Sequence, residues 1–144
     1  MESHILDISH VIQLSVAPVF LLTGIATLIN AMNSRLGRIV DRRRKVLERI
    51  KGSENVTGDE SQKELSTLYR RSHLAYLGIL FSVLSALLVC LVIVGAFIGA
   101  LISVDLTKTV AIVFILALLS MIVSLGLFLR EVFLGVSTGM RTPR

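Results

Sequence analysis

Three stretches of this chain run without a charged residue: Val11 to Asn33, Leu74 to Val104, and Thr109 to Leu129. Each reaches the roughly 20 residues that a helix rising 1.5 Å per residue needs to cross a ~30 Å hydrocarbon layer. Strands of a membrane β-barrel are about half as long and alternate polar with apolar positions, and these stretches do neither. The pattern predicts an all-α integral membrane protein with three transmembrane helices, placed at about 11–33, 79–103 and 109–129.

Between the first two spans the apolar positions continue at helical spacing. Leu36, Ile39, Val40, Val46, Leu47 and Ile50 carry the periodicity of the first span onward. The segment Lys51–Glu60 interrupts it with Gly52, Gly58 and turn-forming residues. Ser61-Gln-Lys-Glu64 then has the spacing of a capping box, so a new helix is expected from about residue 62, ahead of Leu65 and Leu68. An antiparallel second span needs only about 20 residues counted back from Ser103, which leaves several turns of its apolar run over. These turns find a place if they pair with the extension of the first helix. The expectation is a cytoplasmic antiparallel helical hairpin formed by extensions of helices 1 and 2, about 34–81 with its tip at 51–61, projecting ~25–30 Å. Its seam would set Leu36, Ile39, Val46 and Ile50 against Leu65, Leu68, Ser72 and Ala75. A steeply tilted second span is the alternative. The chain, 1–144, reads as a single membrane domain, and the tail from Glu131 onward is expected to fray or to lie on the surface.

Composition agrees with this picture: 53% of residues are hydrophobic and 17% charged. Charge adds orientation. Eleven of the fifteen Lys and Arg residues fall between 34 and 73, the N-terminal tail holds none, and the turn after the second span has only Lys108. Basic residues at span ends resist translocation, so the 34–73 loop and the C-terminus are expected in the cytoplasm and the N-terminus outside. The basic charge is accounted for in this way, and no nucleic-acid partner is implied. Glu2 and Asp7 stand where a signal peptide would carry basic residues, so the first span reads as retained. The lone Cys90 lies inside the second span, which leaves no disulfide framework to read and makes a small apolar role the simplest one.

Candidate sites are few. Gly95 and Gly99 in the second span form a Gly-x-x-x-Gly pair, and Ser120 and Ser124 give the third span a small-residue face. Such faces allow close helix–helix approach, either within the three-helix bundle or between copies, and we expect a homo-oligomer. Pro18 should kink the first span by freeing the carbonyl of Leu14. Thr23, Thr27 and Asn30 follow on one face, which is expected to hydrogen-bond to other helices or to line a pore. The predicted membrane cores hold no Asp, Glu, Lys, Arg or His, which argues against an ion-coupled carrier. His4, Asp7 and His10 do not share one helix face, and neither a metal site nor a cofactor is assigned. His73, beside Arg70 and Arg71, reads as an interfacial residue.

The basic run is the most distinctive stretch. Arg35, Arg38, Arg42, Arg43, Arg44 and Lys45 are placed where they could contact anionic lipid headgroups or a cytoplasmic protein partner. Asp41 has the spacing to pair with Arg38 and Lys45. Glu131 should leave the third span at similar depth, and is expected to form an ion pair with Arg35 or Arg38.

Four segments together resemble a known family. They are Ala17-Pro-Val-Phe-Leu-Leu-Thr-Gly24, Asn33-Ser-Arg-Leu-Gly-Arg-Ile-Val-Asp-Arg42, Leu87-Leu-Val-Cys-Leu-Val92 and Phe128-Leu-Arg-Glu-Val132. They are similar to a prokaryotic membrane family catalogued as domain of unknown function 2721, from about Ile12 to Leu134. The resemblance implies a multi-span helical protein of a prokaryotic cytoplasmic (inner) membrane and implies no activity. No nucleophile–base pair stands out, so the expectation is a non-enzymatic, homo-oligomeric structural or interaction protein. A passive oligomeric channel lined by the polar face of helix 1 is the alternative.

Overall fold

The computed structural model describes the backbone of residues 2–52, 58–102 and 104–139, and side chains over 9–10, 12–52, 62–102 and 104–136. Three helices follow in order: α1 (Glu2–Gly52), α2 (Gly58–Ile102) and α3 (Thr107–Gly139). The segments Ile12–Gly52, Gln62–Ile102 and Thr107–Val136 are each long and apolar enough to cross a membrane. The described residues contain no strand.

Element ends differ from expectation in two places. α2 begins at Gly58, so Ser61 lies inside the helix instead of capping it. The Glu64 carboxylate, which the capping box would have turned back, instead accepts from Nε and Nη2 of Arg42 at 3.2 and 3.0 Å. Residues 53–57, the middle of the expected tip, lie outside the described residues. At the other end, the tail expected to fray from Glu131 remains helical to Gly139. Glu131 is buried there, and its side chain holds that turn in place. α1 continues through Pro18 without interruption.

Buried positions recur every seven residues in each helix. They are Ile25, Met32, Ile39 and Val46 on α1, Leu68, Ala75, Ser82 and Val89 on α2, and Ala117, Ser124 and Glu131 on α3. This is the spacing of a coiled-coil seam, in which one narrow stripe of each helix stays turned toward its neighbours.

By their contacts the residues form two units. The first joins Met1–Ile29 to Phe81–Val123. Its core is Ile25, Val89 and Ala117, surrounded by Leu21, Leu22, Ile29, Ala86, Leu88, Ile93 and Met121. Between helices in hydrocarbon, close contact and hydrogen bonds do the work that water exclusion does elsewhere. Ser85 Oγ donates to the carbonyl of Ala117 at 2.7 Å, and Ser120 Oγ to that of Phe81 at 2.8 Å. The numbering falls on α3 as it rises on α2, so the two helices run antiparallel. A methyl group on Gly95 would lie 3.3 Å from Val110, and one on Gly99 would lie 3.4 Å from the carbonyl of Val104. The Gly-x-x-x-Gly pair therefore serves contact within this chain. Cys90, read as a small apolar side chain, is exposed.

At the start of α3, Asp105 Oδ1 accepts the Thr107 amide at 3.1 Å, and Leu106 accepts the amide of Val110 at 2.9 Å. Asp105 thereby caps the helix. The hydrogen bonds from the Thr107 side chain and backbone hold its carboxyl below the ordinary aspartate range.

The second unit joins Asn30–Leu80 to Ser124–Arg144. Ile39, Val46 and Leu68 form its apolar cluster, with Leu65 packed against it. Ala75 is buried and Leu36 and Ser72 are half-buried, while Ile50, expected at the far end of the seam, is exposed. α2 and α3 meet at Gly78, where Ser124 Oγ donates to the glycine carbonyl at 2.7 Å. A Cβ at Gly78 would come within 3.3 Å of Met32. The absence of a side chain here lets α1 and α3 both reach the backbone of α2.

Candidate functional site: a basic cleft around Glu131

Glu131 occupies the next seven-residue step after Ala117 and Ser124, so the periodicity of α3 turns a carboxylate inward. Its residual exposure is 2%. A buried carboxylate requires compensating charge, and here two helices provide it. Arg71 of α2 donates from Nη2 to Oε1 at 3.0 Å, and Arg35 of α1 approaches Oε2 through Nη1 at 3.5 Å. One carboxylate on α3 thus joins α1 and α2.

The two arginines are held differently. Arg71 is mostly buried, with 18% of its side chain exposed, and its Nε is the one buried side-chain nitrogen or oxygen without a hydrogen-bond partner among the described residues. Arg35 is 45% exposed and rests over the Phe128 ring, 5.3 Å from its centroid. A cation over an aromatic face gains a modest electrostatic attraction that water only partly screens. The shorter and drier Arg71 contact is the stronger of the two.

A cleft of about 380 Å³ opens beside this clasp. Arg35, Arg38, Arg42 and Arg71 line it together with Glu131, and Ile39, Leu68, Val132 and Val136 supply an apolar wall. Arg38 has no carboxylate partner among the described residues. Helical spacing explains the grouping: Arg35, Arg38 and Arg42 are three and four apart, so they share one face of α1. Arg43 and Arg44 are directed elsewhere. Arg43 stacks on Tyr69 at 5.3 Å, and Arg44 pairs with Glu48 one turn on at 3.3 Å. The basic run, expected to contact lipid headgroups or a partner, thus has Arg35, Arg38 and Arg42 on the cleft and Arg43 and Arg44 outside it. Lys45 is exposed and does not line the cleft.

Of the two partners expected for Glu131, the structure brings Arg35 to it, while Arg38 lines the same cleft without pairing. Arg71 is absent from that expectation, although its position one heptad step before Gly78 and two before Ser85 is a usable signal. Asp41, expected to pair with Arg38 and Lys45, forms no ion pair among the described residues. It is exposed, where water competes for both partners.

The polar face of α1 is placed otherwise than hydrogen bonding between the helices of this chain would require. Thr23, Thr27 and Asn30 are all exposed, and the Thr27 hydroxyl donates to the Thr23 carbonyl of its own helix at 2.9 Å. In the first unit, a wider groove of about 800 Å³ is lined largely by small and apolar residues, among them Ala17, Pro18, Ala96 and Phe114, with His10 and Asp105 also on its lining. The side chains of His4 and Asp7 lie outside the described residues. His73 is exposed.

A family model described as a protein of unknown function (DUF2721) matches residues 15–140, nearly the whole chain. No curated protein and no solved structure matches it.

Proposed function

The chain belongs to the DUF2721 family of proteins of unknown function, a membership that carries no activity, and on that premise we propose a non-enzymatic role in the membrane. The protein is read as a multi-pass membrane protein whose basic inner surface contacts anionic headgroups or a cytoplasmic protein. The observation that carries this reading is the cleft, where four arginines surround one lining carboxylate, Glu131, and only Arg42 has a further carboxylate partner, Glu64. Positive charge in excess next to the end of an apolar span attracts anionic lipid by about 1 kcal/mol per residue. Orientation follows the charge distribution, with residues 34–73 inside the cell and the N-terminus outside. In this reading the Ile39/Val46/Leu68 cluster belongs to an antiparallel hairpin of α1 and α2 in the cytoplasm.

Labelling tests the orientation. With Cys90 replaced by Ser, a cysteine at Lys51 should react with a membrane-impermeant maleimide only after the membrane is opened. Reaction in intact cells would reverse the topology and remove the basis of the proposal.

Homo-oligomerisation remains part of this reading, on a different footing. Gly95, Gly99, Ser120 and Ser124 make contacts within the chain, and the exposed Thr23/Thr27/Asn30 stripe is the face we assign to a second copy. The same stripe favours a second reading, a passive pore around an oligomer axis. Native mass spectrometry in several mild detergents and ion flux from liposomes separate the possibilities. A monomer throughout counts against both, and an oligomer without conductance counts against the pore.

A further inference from the structure

We propose that the cleft between Arg38 and Arg71 is a discrete site for a phosphomonoester group, most readily that of a lipid whose apolar part lies along Val132 and Val136. The inference rests on the proposed contact with anionic headgroups and narrows it to one pocket and one ligand chemistry.

Charge comes first. The four lining guanidiniums face two carboxylates, Glu131 inside the cleft and Glu64 on Arg42, so two positive charges are in excess. A phosphomonoester carries about −1.5 to −2 at neutral pH, which matches that excess, whereas a diester carries a single charge.

Donor capacity is second. Glu131 takes one N–H from Arg71 and one from Arg35, which among the described residues leaves most side-chain donors of both groups unspent. Arg38 spends none on a carboxylate among the described residues. Planar guanidiniums suit the oxygens of a phosphate, which they can bind in a bidentate manner. Glu131 fixes Arg71 and draws in Arg35, so much of the ordering is complete before a ligand arrives.

Shape is third. One wall of the cleft is apolar, and the cleft adjoins the end of the apolar part of α3. A free phosphate would leave that wall uncovered, but the head of a lipid would not.

Arg43 and Arg44 provide the control. They lie in the same basic run yet face Tyr69 and Glu48, so removing them changes net charge equally and leaves the cleft intact. The experiment uses the full chain in zwitterionic nanodiscs, with native mass spectrometry reading retained lipid. Added phosphatidic acid, phosphatidylglycerol and inorganic phosphate are the probes.

The site predicts one retained phosphatidic acid per chain, at least tenfold preferred over phosphatidylglycerol. R38Q/R42Q should abolish retention, and R43Q/R44Q should leave it within about twofold. Inorganic phosphate competing at micromolar concentration would support the phosphate chemistry and assign the site to a soluble ligand. Equal loss in the two double variants would overturn the pocket while leaving general headgroup contact standing. Indifference to any anionic lipid would overturn both. A thermal unfolding profile of each variant without ligand shows whether R38Q/R42Q is folded. If it is not, R38K, which keeps the charge but removes the bidentate fork, takes its place and should weaken retention several-fold.

Discussion

Gly135 lies so close to Arg71 that a Cβ added to it would come within 2.7 Å of Nη2. That nitrogen is the one that donates to Glu131. A methyl group at 135 therefore competes for space with the end of a flexible side chain, and the side chain should yield.

For G135A we expect a loss of stability of about 1–2 kcal/mol, the range for a buried hydrogen bond weakened but not removed. Thermal or denaturant unfolding in a mild detergent measures it. The diagnostic is non-additivity: G135A should cost almost nothing more in an R71Q background. Full additivity would mean that Gly135 acts elsewhere.

The two arginines on Glu131 should be unequal. R71Q leaves a buried carboxylate short of its closer partner and should cost about 3–5 kcal/mol. R35Q removes a longer and half-exposed contact, so about 1 kcal/mol is expected, part of it from the Phe128 ring. Unfolding of the two variants side by side checks the order. Equal losses would contradict a clasp centred on Arg71.

The α2–α3 pair is joined by serine hydroxyls on backbone carbonyls. S85A and S120A should each cost about 0.6–1.7 kcal/mol, the range for hydrogen bonds between helices in a bilayer. A117L, which places a large side chain at a position with no free surface, should cost about 1–3 kcal/mol. Steric-trapping or denaturant unfolding in bicelles provides the values. An A117L protein as stable as the parent would show that α2 and α3 do not meet there.

Asp105 gives a pH signature outside the apolar segments. Its folded pKa is depressed, so its ionised form stabilises the first turn of α3. That contribution is complete above the ordinary aspartate pKa and is lost as pH falls through the lowered value. The Thr107 amide resonance should follow the titration, with a midpoint below that of a free aspartate. In D105N the cap persists and the titration vanishes. A Thr107 resonance that titrates identically in D105N would place the cause in another group.

Much of this architecture is legible in the sequence. Three uncharged runs are a strong signal because charge in hydrocarbon is costly, and all three are helical. Ile39, Val46, Leu65 and Leu68 could be grouped because helical spacing places them on matching faces. What escaped depends on relations between helices. The start of α2 was misplaced because Ser61 and Glu64 have the right spacing for a cap, but Arg42, a residue on another helix, takes the carboxylate. The burial of Glu131 is not evident from sequence because the charged pair Arg130-Glu131 after an apolar run looks like an exit from the membrane. Only counting in sevens from Ala117 through Ser124 places it inside. The division of the arginines was likewise invisible, since Tyr69 and Glu48 become neighbours of Arg43 and Arg44 only in the folded helices.

The seven-residue recurrence has a consequence for how such a chain can vary. Inserting a single residue into an α-helix rotates everything beyond it by about 100°, which would swing Glu131 or Ser124 away from its partner. Seven residues nearly complete two turns, so only the height changes, by about 10 Å, and each stripe keeps its heading. Length is thus quantised: thicker or thinner versions of this protein should differ by whole heptads, matched across the helices that touch.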